Sequence, residues 1–230
     1  YFSYWRGGIS IKEVFSDIIV EAPLGSRTKL TLPDGTLVWL NAGSRITYSQ
    51  GFGVGNRKIE LIGEGYFEVK RNEEVPFLVK TNSLLVKVLG TKFNFRDYPD
   101  DAEAIVSLSE GKVALNNLLK KEKEAFLLPN ERVVLNKKNG RMHVEYSTVS
   151  NALQWTNGYL FFDEELLPDV VKELERSYNV KIQIASDTLN TFRFYGNFVH
   201  REQNIQEVLE ALSATRKIHY IIEGHNITLY

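Results

Sequence analysis

The stretch LPDGTLVWLNAGSRITY, residues 32–48, decides how the chain folds at its beginning. Its Pro-Asp-Gly triplet separates the apolar runs KLTL (29–32) and TLVWL (36–40), and it places glycine where a tight turn needs a positive φ. Two short apolar runs around such a turn predict a β-hairpin. The hairpin could serve as scaffold or as the wall of a binding or catalytic pocket, so the rest of the chain has to decide.

Short apolar runs continue from Ile18 to Leu135, separated by Gly, Asp, Asn and Pro. Examples are RKIELI (57–62), KFNFRDY (92–98) and KVAL (112–115). No stretch of helical length with a 3.6-residue period interrupts them. The pattern predicts a mainly β domain over residues 18–150, a many-stranded β-roll or solenoid-like sandwich, preceded by a lead segment at 1–17.

The pattern changes after NKKNGR (136–141), and residues 151–230 alternate strands with helices. A strand at 158–162 is followed by a helix whose apolar face recurs with helical spacing and which ends at Asn179. Asp163–Glu165 are expected at its start, where carboxylates favour the helix dipole. A second strand–helix unit follows, with Asn204 as the predicted N-cap. The fold class is therefore mainly β followed by α+β, with a small C-terminal βαβ-βαββ domain.

The amino-acid composition limits which classes of function the chain can have. The 230 residues are 43% apolar and 25% charged, which is typical of a soluble globular chain of one large or two modest domains. The net charge of −1 argues against a nucleic-acid partner, because neutralising phosphates requires a basic excess. The absence of cysteine excludes disulfides, thiolate catalysis and Cys-ligated zinc.

No constellation in the sequence predicts an enzyme, a metal or a cofactor. His219 and His225 flank a predicted turn, but a metal site needs three or more ligands. Two alternatives stay open. A glycosidase could use two carboxylates drawn from Glu60, Glu64 and Glu68. A carbohydrate-binding module could stack sugars on aromatic side chains, for which the candidates are Trp39, Tyr48, Phe52, Tyr66 and Phe67.

The order of the motifs is more specific than any one of them. LPDGTLVWLNAGS (32–44) is followed by GEGYFEV (63–69), VLGTKFN (88–94) and LLPNERVVL (127–135). This series resembles the periplasmic domain of the FecR family of transmembrane anti-sigma regulators. The tail that begins WTNGYLFFDEELLPDVVKELERSYNVKI (155–182) resembles the small C-terminal domain of Bacteroidetes-type members, which is similar to the secretin and TonB-receptor short N-terminal fold.

The resemblance answers the opening question. It implies that residues 32–48 form a lead hairpin in which Asp34 and Gly35 set the turn. Leu32, Leu37 and Leu40 are then packing residues.

The resemblance also implies a function and a location. It implies the periplasmic part of a single-pass inner-membrane protein, with a membrane helix and a cytosolic segment outside this sequence. The expected partners are the periplasmic signalling domain of a TonB-dependent outer-membrane transporter and, through the cytosolic segment, an extracytoplasmic-function sigma factor.

Contact with the transporter is expected at a free sheet edge of the C-terminal domain, because an exposed edge can accept another strand. The candidate edges are FRFYGNF (192–198) and HYIIE (219–223). The candidate partner-binding residues are Tyr195, Asn197, Phe198 and Tyr220. The alternative interpretation is that the three aromatic residues belong to the core.

Overall fold

A computed structural model describes residues 16–147 and 149–230, and it contains two separate hydrophobic cores. The predicted lead segment lies almost entirely outside the described residues. The first core is enclosed by thirteen strands. These are β1 (Asp17–Ala22), β2 (Thr28–Thr31), β3 (Leu37–Leu40), β4 (Ser44–Ser49), β5 (Arg57–Glu68), β6 (Phe77–Lys80), β7 (Leu84–Val88), β8 (Lys92–Asp97), β9 (Glu103–Glu110), β10 (Val113–Asn117), β11 (Ala125–Leu127), β12 (Glu131–Asn136) and β13 (Met142–Tyr146).

The long strand β5 joins two sheets. Its first half pairs with β4 and β6, in a first sheet ordered β1-β4-β5-β6-β7-β10-β11. Its second half pairs with β3 and β8, in a second sheet ordered β2-β3-β5-β8-β9-β12-β13. The change of sheet occurs at Gly63, where φ is +97°. The predicted many-stranded β domain is confirmed, and β5 links its two layers.

Alternation along the strands builds the core between these sheets. Ile59, Leu61 and Phe67 of β5 all point inward, because successive inward positions of a strand are two residues apart. Phe67 stacks on Phe93 with ring centroids 5.1 Å apart. It also packs at 6.3 Å against Phe77, which lies in the other sheet. The two layers therefore share one core and form one folding unit.

The opening hairpin has the predicted geometry. Gly35 has a φ of +86°, and the Asp34 carboxylate accepts hydrogen bonds from the backbone and hydroxyl of Thr36. Leu32 and Leu40 are buried, whereas Leu37 is only half-buried. These residues thus serve the turn and the core.

The second core belongs to the C-terminal domain. Helices α2 and α3 share this core with the two-stranded sheet β14-β16 and the three-stranded sheet β15-β18-β17, in which β15 and β18 are parallel. The elements are α1 (Val149–Ala152), β14 (Tyr159–Leu166), α2 (Leu167–Tyr178), β15 (Lys181–Ile184), β16 (Arg193–Val199), α3 (Ile205–Ser213), β17 (Tyr220–Glu223) and β18 (Asn226–Leu229). Short 3₁₀ segments occupy 154–157 and 187–191.

One helix boundary differs from the prediction. Asp163–Glu165 lie in strand β14, at a bulge, and helix α2 begins only at Leu167 with Pro168 in its first turn. Proline is common at that position because the first N–H groups of a helix have no partner within the helix, so the N–H that proline lacks is not needed there. The predicted C-cap Asn179 is confirmed by its left-handed φ of 52°.

The predicted N-cap of α3 is also confirmed. The Asn204 side chain accepts a hydrogen bond from the Glu207 backbone, and the Glu207 carboxylate accepts one from the Asn204 backbone. This reciprocal pair is a capping box. Among the described residues, no helix is long and apolar enough to cross a membrane.

Candidate functional site at the domain interface

The path of β5 separates the three glutamates that were candidates for a glycosidase pair. Glu60 lies on the outer face of the first sheet, opposite Thr47 and Lys80. Glu64 and Glu68 lie on the outer face of the second sheet, opposite Arg96 and Lys92. Four residues along a strand span about 13 Å, which exceeds the carboxylate separation of about 5 to 9.5 Å in glycosidases. The glycosidase alternative therefore finds no assembled pair among these three glutamates.

The five aromatic residues considered for sugar stacking do not share a surface either. Phe52 and Phe67 lie in the core, and Tyr48 packs against it. Tyr66 is buried beside Trp39, with ring centroids 5.3 Å apart, and its hydroxyl donates to Glu68.

The C-terminal domain rests on the outer face of the second sheet. The indole Nε1 of Trp155 donates to Asn94 Oδ1 on β8 at 3.1 Å. At the end of α2, the Arg176 carbonyl accepts a hydrogen bond of 2.8 Å from the backbone N–H of Gly25, in the loop between β1 and β2. Both contacts are buried or half-buried, so they fix the position of the small domain.

Five charged side chains meet at this interface and form what we call the interdomain polar cluster. Its β-domain members are Glu64, Arg96 and Asp101, and its α2 members are Glu173 and Arg176. Arg176 Nη1 lies 3.1 Å from Asp101 Oδ1, and its Nη2 lies 3.3 Å from Glu173 Oε2. Arg96 Nε lies 2.8 Å from Asp101 Oδ2, and its Nη1 lies 3.8 Å from Glu173 Oε2. Each arginine therefore bridges carboxylates from both domains.

Neutral side chains complete the cluster. Asn41 Nδ2 donates to Glu64 Oε2 at 2.9 Å and to Glu173 Oε1 at 3.5 Å. Asn94 Nδ2 donates to the other oxygen of Glu64 at 2.8 Å, which couples this carboxylate to Trp155. The Arg176 guanidinium lies 3.9 Å from the ring centroid of Tyr98, a cation–π contact.

The surroundings shift the pKa values of the three carboxylates in different directions. Burial, together with the nearby Glu173, raises the pKa of Glu64 despite the opposing effect of Arg96. Burial alone would raise the pKa of Glu173, but Arg176 and Arg96 outweigh it and hold that pKa below its usual value. In the same way, Arg96 and Arg176 outweigh burial and lower the pKa of Asp101. Glu173 and Asp101 are thus the carboxylates stabilised as anions.

These shifts predict a pH dependence of the interface. Because Glu173 and Asp101 bind protons less readily in the folded state, their stabilising contribution is present above about pH 4.5 and is lost as the pH falls through their lowered pKa values. Glu64 acts in the opposite direction and at higher pH, because its raised pKa makes its protonation stabilising as the pH falls toward about 4.5, and Glu64→Gln should remove that gain. We expect the radius of gyration, measured by small-angle scattering, to increase as the pH is lowered from about 4.5. A radius that stays constant until the separate domains themselves unfold would contradict the assignment.

A cleft of about 690 Å³ opens beside the cluster, between the second sheet and the C-terminal domain. Arg96, Glu64 and Glu173 line part of it, and strand β14 forms one wall. The described residues contain no group of three or more His, Cys, Asp or Glu side chains that could hold a metal ion.

Two family sequence models match the chain in succession. The family described as FecR protein matches residues 19–114, and the family described as FecR, C-terminal matches residues 159–229. Two crystal structures, both of a protein named as an anti-sigma factor from Parabacteroides distasonis ATCC 8503, superpose on the chain with a TM-score of 0.85 at 33% sequence identity. The first covers 93% of this chain and 98% of its own, and the second 94% and 99%.

The chain belongs to the FecR family of anti-sigma factors. Members of this family are regulators rather than enzymes. No curated protein sequence matches this FecR-family chain. The interface with its polar cluster lies between the two matched regions, since Glu64 and Arg96 belong to the first match and Glu173 and Arg176 to the second.

The FecR C-terminal domain places the four predicted partner-binding residues in different environments. Tyr195 is 58% exposed, and Asn197 is exposed beside it on the outer face of β16. Phe198 points the other way into the second core, where it is 5% exposed, as the alternative interpretation held. Tyr220 is half-buried on β17 and packs against the same core. Both predicted edge strands, β16 and β17, do lie at sheet edges.

Sequence reasoning missed residues on two surfaces of the FecR C-terminal domain. Tyr159 and Phe161 of β14 lie on the same outer face as Asn197, which pairs with Phe161. The sequence signal was the alternation of Tyr159 and Phe161 with buried Leu160 and Phe162. Glu173 and Arg176 were missed because they lie beside the apolar stripe of α2. Their spacing of three residues predicts a local ion pair but not burial beneath a sheet.

Proposed function

We propose that this FecR-family chain is the periplasmic, signal-receiving part of a single-pass inner-membrane anti-sigma regulator. Its C-terminal domain binds the periplasmic signalling domain of a TonB-dependent outer-membrane transporter. The regulator then alters its hold on an extracytoplasmic-function sigma factor, which is bound by a cytosolic segment of the regulator.

The observation that carries the proposal is the exposed aromatic face of the β14-β16 sheet. Tyr159, Phe161 and Tyr195 are exposed or half-buried there, next to Asn197. Aromatic side chains with a polar tip are enriched at protein interfaces because they bury a large area with few rotatable bonds. The sheet has only two strands, so both of its outer edges are open to a partner strand among the described residues.

The proposal also uses the interdomain polar cluster. The C-terminal domain is held by desolvated ion pairs, and the net contribution of such pairs is small because desolvation offsets their attraction. A partner that binds the C-terminal domain can therefore change its position relative to the β domain with a modest free-energy difference. This gives the signal a physical route from the receiving domain to the segment that leads toward the membrane.

Calorimetric titration against the signalling domain of the transporter encoded beside this protein tests the proposal. We expect saturable binding that Tyr195→Ala weakens by about tenfold, since truncating an interface aromatic typically costs 1 to 2 kcal/mol or more. Phe126→Ala is the matched control, because Phe126 is similarly exposed on β11 of the other domain and its loss should leave the affinity unchanged. Absence of binding at high micromolar concentration would overturn the proposal.

A further inference from the structure

Strand β14 presents its edge, rather than one of its faces, to the interdomain cleft. All eight of its residues, Tyr159–Leu166, line the cleft. Successive side chains of a strand point to opposite faces, and Leu160 and Phe162 point into the core. A cleft that touches every residue of such a strand must therefore run along its backbone edge.

The hydrogen-bond pattern shows which backbone groups face the cleft. The Gly158 carbonyl accepts from His200 N, and Leu167 N donates to the Phe192 carbonyl. In an antiparallel ladder, residues that bond to the partner strand alternate with residues whose N–H and C=O point away from it. The groups of Tyr159 and Phe161 consequently point away from β16, and within the described chain they have no hydrogen-bond partner.

The hydrogen bonds of the partner strand β16 agree with this alternation. Val199 lies opposite Tyr159 on β16, and its N–H donates to Gln203 Oε1 instead of to β14. The regular ladder ends at the bulge after Phe162, where Glu164 has a positive φ of 55°. The open part of the edge is therefore Tyr159–Phe162.

We propose that this edge, inside the interdomain cleft, accepts a basic extended segment of a partner protein as an additional β-strand. Backbone groups of Tyr159 and Phe161 would pair with the segment, and carboxylates on the cleft walls would bind its lysine or arginine side chains. This deepens the proposed function and rests on it, because it names the acceptor edge and the chemistry of the partner.

Charge complementarity decides the chemistry of the segment. Outside the interdomain polar cluster, the cleft is lined by five carboxylates and two arginines. Arg132 is already paired with Glu145, and Arg193 donates to the Glu164 carbonyl. The five carboxylates belong to Glu103, Asp163, Glu164, Glu165 and Asp169.

Four of these carboxylates, those of Glu103, Asp163, Glu164 and Glu165, have no ion pair within the described residues, whereas Asp169 pairs with Lys172. Partial desolvation in the cleft, together with the charges of Asp169 and Glu103, raises the pKa of Glu165 against the effects of Arg96 and Arg132. A cationic side chain that enters the cleft would relieve this repulsion. An acidic segment would increase it.

The test uses the whole chain, labelled for amide NMR, and two probes. One probe is a capped seven-residue peptide of alternating threonine and lysine, and the other carries glutamate in place of lysine. We expect the lysine peptide to shift and protect the amides of Tyr159 and Phe161, with an affinity that falls as salt rises. The double variant Asp163→Asn and Glu165→Gln should weaken it by about five- to tenfold. The matched control Glu122→Gln and Glu124→Gln, in the loop between β10 and β11, should not.

Equal binding of the two peptides, or protection at Ile221 and Ile222 of β17 instead of at β14, would overturn the inference. Titration of the transporter signalling domain separates this inference from the proposed function. If the signalling domain binds but leaves the β14 amides unprotected, the edge assignment fails and the proposed function stands. If it does not bind while the lysine peptide protects β14, the acceptor edge stands and the proposed function fails.

Discussion

Replacing Arg176 with methionine is expected to detach the C-terminal domain from the β domain while both remain folded. The substitution keeps much of the apolar volume but removes the charge that bridges Asp101 and Glu173. Asp101 and Glu173 would then keep Arg96 as their direct ion-pair partner, and Arg27 would act on Glu173 and Glu64 without a direct ion pair. Removing one partner of a buried ion pair costs about 3 to 5 kcal/mol, because the other charge is left buried.

The chain can avoid that cost by letting water reach the carboxylates, which requires the two domains to separate. Each domain has its own core, so separation need not unfold either one. Small-angle scattering should show a larger radius of gyration, and the Asn94–Trp155 contact should be lost, with a change in tryptophan fluorescence.

Arg71→Met is the matched control for this prediction. Arg71 also pairs with a carboxylate, that of Glu73, but both side chains are largely exposed. Exposed ion pairs contribute about 0 to 1 kcal/mol, so this variant should keep the wild-type scattering profile and stability. If Arg176→Met behaved like Arg71→Met, the interdomain polar cluster would not be what holds the domains together.

Gly63→Ala is expected to destabilise the β domain by about 2 to 6 kcal/mol, the sum of backbone strain and overpacking. Gly63 has a φ of +97°, and a Cβ atom there would lie 2.8 Å from Ser44 Cβ and 2.9 Å from Ser44 Cα. Because the Ser44 Cα is backbone, it cannot move without displacing β4. The strain falls where β5 passes from one sheet to the other, so it affects the pairing of both sheets.

Gly53→Ala separates the two contributions. Gly53 has a similar φ of +90°, but a Cβ atom there would have no neighbour within 4 Å. It should therefore show only the backbone strain, about 1 to 3 kcal/mol. Urea denaturation of both variants, followed by far-ultraviolet circular dichroism, gives the difference. Equal denaturation midpoints for the two variants would mean that the close approach of β4 to β5 adds no destabilisation at Gly63.

Much of the fold could be predicted from local patterns. Strands such as β5 and β8 alternate apolar and polar residues with a period of two, and that period requires only one buried face. Asn179 and Asn204 mark helix ends because their side chains and backbones satisfy groups that the helix leaves free. The start of α2 was predicted too early because carboxylates at 163–165 favour a helix N-terminus but are equally compatible with an exposed strand bulge.

The candidate site was only partly predictable. Tyr195 and Asn197 were expected to be exposed and are, whereas Phe198 is buried. The alternation of β16 already implied that Phe198 points away from Asn197, since neighbouring residues of a strand face opposite sides. What the pattern could not show was which side of the strand the helices cover.

The sequence by itself determined the order of strands and helices, the turns, the caps and the family, because each depends on contacts between near neighbours or on the order of motifs. The tertiary structure alone decided that Glu64 and Glu60 face different surfaces and that Glu64 meets Glu173 and two arginines beneath the small domain. These residues come from distant segments, as the Asn41–Glu173 contact across 132 positions illustrates. A charged residue is stable in the interior only where the rest of the chain supplies opposite charges and hydrogen-bond donors, and no local pattern specifies those partners.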